Sequence, residues 1–116
     1  MRMWLVNPKI LCDKHLLGEH NECHMFAGTL AKNKSIQGYV DNNLFEPESL
    51  QSRHDILADE ITNRGFKHNS NLSVHTTLSH KIAKYRALRE LLIRCNKCKQ
   101  KAKEFLSDRC NSTGKL

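Results

Sequence analysis

The sequence predicts an all-α fold: a compact single domain of three main helices with long connecting loops. Three observations carry this prediction. Apolar residues recur at helical spacing in three stretches, and helix-start and helix-stop residues flank those stretches. Strand signals are nearly absent, since "GYV" at 38–40 is too short to found a sheet. A length of 116 residues suits one domain with a modest core, and 39% hydrophobic with 27% charged residues is the balance of a globular chain at the polar end.

The first helix is expected over residues 8–31, with Pro8 in a first turn and "KNKSIQG" closing it. The second begins in "EPESLQSRHDILADEITNRGF". Pro47 fits an early helical position, Glu46 and Glu48 complement the positive helix end, and Gly65 after Arg64 makes a stop. A third, basic helix is expected over residues 77–107, with Ile82, Leu88, Leu91, Leu92, Cys95 and Phe105 as its apolar side. The tail, 108–116, is expected to fray. Two connections of about a dozen residues each are long for so small a domain, which marks them as candidates for function.

Charge is unevenly placed. Residues 1–66 carry a net −2 and residues 67–116 a net +9, so the +7 total sits in the second half. A basic half beside a near-neutral one points to a polyanion, with nucleic acid first. No apolar run approaches the ~18 residues of a membrane span and no signal peptide is visible, so no membrane partner is expected. The five cysteines are an odd number, which favours reduced thiols and a cytoplasmic location over a disulfide framework.

The densest chemistry lies in "HLLGEHNECHMFAG" at 15–28. At about 100° per residue, His15, Glu19 and Glu22 share one helix face, which Leu11 and Phe26 continue. Partial burial would raise a carboxyl pKa there and a positive neighbour would lower it, so Glu22 is a candidate for proton transfer; a plain helix-surface pair is the other reading. His20 and His24 fall on the opposite side at i, i+4. That spacing can hold a metal ion, but Glu22 between them faces away, unlike the HExxH pattern, and a solvated pair is the expectation. "CNKC" at 95–98 could complete a zinc set with His75 and His80, yet the helical pattern runs through it, so plain helix cysteines are expected and no metal is assigned.

The opening "MRMWLVNPKILCDKHLLGEHNECHMFAG", with its early Arg, its His-Leu pair and a second Glu three residues beyond the first, is followed by "LQSRHDILADEITNRGF". In order and spacing these stretches resemble the small phage-type pyrimidine-dimer DNA glycosylases with abasic-site lyase activity, the phage-type endonuclease V family, over roughly residues 1–68. The resemblance implies that an N-terminal α-amine is the nucleophile and a first-helix glutamate the acid/base. By position these are Met1 and Glu22. A bulky Arg2 should block removal of the initiator methionine, leaving the Met1 amine itself reactive.

The resemblance further implies DNA contacts from Arg2 and His15, and from Arg53 and His54 on the facing wall. Asn21 and Met25 stand where that family carries arginines flanking the glutamate, and the family's aromatic C-terminus is replaced by "KQKAKEFLSDRCNSTGKL". Lys84 and Arg86 join the expected DNA-binding set, while Lys97, Lys99, Lys101 and Lys103 suit general phosphate attraction. The expected activity is therefore that of a DNA glycosylase/abasic lyase on damaged duplex DNA. It would need no cofactor and work as a monomer in the cytoplasm, the host's if the gene is a phage's. The alternatives are a metal-dependent DNA nuclease using the His-rich first helix and a non-catalytic DNA-binding protein.

Overall fold

The computed structural model describes the backbone of residues 1–68 and 70–114 and, Asn69 apart, the side chains up to residue 107. Its described residues hold five α-helices and no strand: α1 (Asp13–Ala31), α2 (Gln37–Asp41), α3 (Leu50–Asn63), α4 (Lys84–Arg94) and α5 (Asn96–Gly114). Two 3-10 turns, Pro8–Ile10 and Pro47–Ser49, precede α1 and α3. None of the described helices is long and apolar enough to cross a membrane.

α1 and α3 form the centre of the molecule. α1 buries Leu16, Glu19, His20, Cys23 and Phe26, and α3 buries Leu50, Arg53, His54, Leu57 and Ile61, at the i, i+3, i+4 spacing of one helix face. Phe26 stacks on Phe45 with ring centroids 4.0 Å apart and takes Tyr39 edge-on at 5.2 Å. Gly65, at φ 89°, ends α3. Its left-handed backbone lets its own amide donate to the Thr62 carbonyl and the Phe66 amide reach the Ile61 carbonyl.

The first ten residues belong to the core. Met3, Trp4, Val6 and Ile10 are all buried, and the Met3 amide donates to the Leu44 carbonyl at 2.7 Å. Arg53 is the tie between this segment and the two central helices. Its Nε and Nη2 donate to the two Glu19 carboxylate oxygens at 2.5 and 2.9 Å, and its Nη1 donates to the Val6 carbonyl at 2.6 Å.

Two expected helices differ in the structure. The first helix is not continuous from Pro8. The Pro8 carbonyl accepts from Leu11 and Arg64 Nη2, while the Cys12 amide donates to Cys98 Sγ, so the chain is extended at Leu11 and Cys12 and α1 starts at Asp13. The third helix starts at Lys84 rather than 77. Glu48 accepts from the His80 amide, Glu46 from the Ile82 amide and Asn43 from the Ala83 amide, which holds this run extended.

The same helix is also broken at Cys95, whose φ of −127° and ψ of 108° lie outside the helical region, giving two helices where one was expected. The expected frayed tail falls where only the helical backbone of α5, as far as Gly114, is described; residues 115 and 116 lie outside the described residues. The first connection contains α2 and a 3-10 turn. The second, residues 64–83, has no regular element among the described residues.

Breaking the Arg53 tie from one side strands a buried carboxylate. Arg53→Met is expected to cost about 3–5 kcal/mol in urea unfolding. The double variant Glu19→Leu, Arg53→Met should recover much of that loss, since it leaves no unpaired charge.

Candidate active site

The start of the chain lies against the middle of α1. The Met1 amino nitrogen is 4.0 Å from Glu22 Oε1, with the two side chains 14% and 29% exposed. Two restraints hold this arrangement. The Met3 amide is bonded to Leu44, and the Arg2 guanidinium lies 3.6 Å above the Trp4 ring while pairing with Glu90 at 3.1 Å. Arg2 is therefore buried, and its Nε and Nη2 have no hydrogen-bond partner among the described residues.

Met1 and Glu22 sit in an open cleft of about 710 Å³ between α1 and α4. Lys14 and His15 contribute from α1, and Arg86, Glu90 and Arg94 from α4. Glu90 is held between Arg2 and Arg94, and its carboxyl is lowered chiefly by the Arg2 hydrogen bond. Glu19, deeper in the wall, is matched by Arg53. With those carboxylates paired, Glu22 faces the free end of the chain. Burial raises its pKa, while the nearby amino-terminal charge and the Arg2 amide pull it down. Such a carboxyl, beside the amine, is positioned for proton transfer.

Of the expected site residues, the structure brings Met1, Arg2, His15, Glu22 and Arg86 to this cleft. Asn21 and Met25 are exposed on α1 outside its lining, and Lys84 borders a separate apolar groove with Leu5, Leu88 and Phe105. Arg53 does not line the cleft. It is 5% exposed, and its guanidinium is spent on Glu19 and Val6. His54 is likewise withdrawn, 2% exposed, with Asp55 at Nδ1 and the Ser70 carbonyl at Nε2. Sequence reasoning missed Trp4, Glu90 and Arg94. Arg86, Glu90 and Arg94 recur at i, i+4, i+8, so their shared helix face was readable once α4 was recognised.

Two further clusters correct the sequence reading. His20 and His24 are not a solvated pair. They pack with His54 and His68, ring centroids 4.8–5.3 Å apart, and burial together with the three other rings lowers His20 to about 4. Cys95 and Cys98 meet Cys12 and His15 rather than His75 and His80.

Because burial lifts Glu22 in the folded chain, the unfolded chain ionises first, and stability falls as pH rises from the ordinary value of 4.5 through the raised one. Glu22→Gln should therefore melt no lower than the parent at pH 7 in calorimetry. Acetylating the Met1 amine should move the Glu22 carboxyl titration, followed by carbon NMR, further upward.

A family model described as pyrimidine dimer DNA glycosylase matches residues 1–74. Neither a curated protein nor a solved structure gives a significant match.

Proposed function

Since the chain belongs to the pyrimidine dimer DNA glycosylase family, we propose that it excises damaged bases and cleaves the resulting abasic site, with the Met1 α-amine as nucleophile and Glu22 as acid/base. The observation that carries this reading is the 4.0 Å approach of the amine to Glu22 Oε1 inside the cleft. Both groups lie within the matched residues.

The chemistry follows from that pair. The neutral amine attacks the sugar C1′, the C1′–base bond breaks and the departing base takes up a proton. Ring opening gives an iminium between the Met1 nitrogen and C1′, with Glu22 supplying the proton to the ring oxygen. The iminium acidifies the C2′ hydrogen, and its removal expels the 3′ phosphate by β-elimination. Water then releases the amine.

Proton transfer by a positioned carboxyl is worth ~10²–10⁴-fold, and a carboxylate also stabilises cationic character at C1′. Arg2, Arg86 and Arg94 line the same cleft and supply positive charge for the phosphates flanking the sugar; His15 offers a further contact. Asn21 and Met25, exposed on α1, meet a strand running past the cleft in this reading. Duplex DNA carrying a damaged or abasic site is the substrate in this reading, and a monomer suffices, since both reacting groups come from one chain.

Borohydride trapping on abasic duplex DNA tests the proposal. The parent should form a covalent adduct without added Mg²⁺, and blocking the Met1 amine should abolish it. Glu22→Gln should lower strand cleavage by about 10²–10⁴-fold while DNA affinity changes little. An adduct that survives a blocked terminus overturns the assignment. Cleavage only with added Mg²⁺ would mark a metal-dependent nuclease, and salt-sensitive binding without cleavage a DNA-binding protein.

A further inference from the structure

We propose that Cys12, His15, Cys95 and Cys98 form a structural zinc(II) site that clasps the start of α5 to the start of α1. Their candidate ligand atoms all lie within 4.8 Å of one another. A tetrahedral zinc with ordinary bond lengths needs about 3.8 Å between two sulfurs and about 3.6 Å between sulfur and nitrogen. Cys12 Sγ and Cys95 Sγ are 3.8 Å apart, Cys98 Sγ and His15 Nδ1 are 3.6 Å apart, and Cys12 Sγ and His15 Nδ1 are 3.2 Å apart.

The two ligand pairs are alike. Cys12 is the residue before α1 and His15 lies in its first turn; Cys95 is the residue before α5 and Cys98 lies in its first turn. Each pair is thus spaced by two residues at a positive helix end, which favours thiolates. The Cys12 amide points at Cys98 Sγ and the Cys98 amide at Cys95 Sγ, at 3.2 and 3.4 Å, the backbone donors that steady a metal-bound thiolate. Loading expels three thiol protons and leaves a zinc–tristhiolate unit of net −1, which Lys14, Lys97 and Lys101 at the adjoining surface offset. Four protein ligands leave no open position, so the role is structural.

The histidine cluster carries a second site independently. His20 and His24 from α1, His54 from α3 and His68 from the following loop present nitrogens within 4.8 Å of one another. His20 Nε2 and His68 Nε2 face each other at 2.9 Å, bridged by one shared proton; a tetrahedral zinc bound to both replaces that proton and sets them about 3.3 Å apart. His24 Nε2 is buried without a hydrogen-bond partner among the described residues. Asp55 meets His54 Nδ1 at 2.9 Å, the carboxylate contact that orients a ligating imidazole; the proton that His54 Nε2 shares with the Ser70 carbonyl leaves when metal enters. We infer that this is a closed four-histidine site for a divalent ion such as zinc.

Metal content of the reduced full chain, purified from zinc-supplemented cells, tests both. The parent should hold two zinc per chain, and Cys98→Ser and His24→Ala one each. Cobalt titration of the stripped parent keeps the test independent of how the variants fold. It should give a thiolate-to-cobalt charge-transfer band in the parent and in His24→Ala, and little of it in Cys98→Ser. A parent that takes up cobalt without that band overturns the cysteine site. A parent holding a single zinc with the full band, or a His24→Ala chain that keeps two, overturns the histidine site. Cysteines recovered as disulfides under reducing purification also overturn the first.

Discussion

The bond on which this molecule depends is the fork of Arg53 onto Glu19, with the third donor on the Val6 carbonyl. It joins α3, α1 and the entering chain at one buried point. A residue that donates three times in fixed geometry sets orientation as well as proximity, which a purely apolar contact would not do. Such a pair contributes little net stability, because desolvating both charges costs about what their attraction returns. Its effect is positional. Glu19 lies one helical turn from Glu22, and Val6 lies five residues from Met1. Fixing both from Arg53 sets the distance between the start of the chain and the carboxylate on α1.

Around that point the charges are arranged to leave one carboxylate unmatched by a side chain. Glu19 has Arg53, and Glu90 has both Arg2 and Arg94. Among the described residues Glu22 has the amine as its charged partner, at 4.0 Å, so its protonation responds to what enters the cleft. Arg2 does two things with one side chain, covering Trp4 and pairing with Glu90, and so links the chain start to α4. A lysine there would keep the charge and lose the stacked, planar contact.

The helical character, the shared face of Glu19 and Glu22, the glycine stop after α3 and the family likeness were legible because each is local or positional. What stayed hidden depends on partners distant in sequence. Nothing near residues 77–83 says that Glu46 and Glu48, more than thirty positions earlier, capture its amides. No glycine or proline marks the break at Cys95, where the chain meets Cys12 and His15. Arg53 and His54 looked like surface groups because charged or titratable residues usually are; burial becomes reasonable only once Glu19 and the other histidines are seen beside them. His20 and His24 were misread for the same reason, since their i, i+4 spacing is legible but His54 and His68 opposite are not.

The matched region ends at residue 74, before α4 and α5, yet α4 supplies one whole wall of the cleft. That wall must be held by something other than the Arg53 tie. The two C-terminal helices bury Ala87, Leu91, Cys98 and Ala102 and pack Leu88, Leu92 and Phe105 against the core, while Tyr85, Ile93 and Leu106 remain exposed. A cross-link adds a fixed angle to such an apolar joint. The four sulfur and nitrogen ligands lie at that joint, one pair at the head of α1 and one between α4 and α5. His15 belongs both to this set and to the cleft lining, so the residue that closes the cross-link also borders the place where the sugar would react.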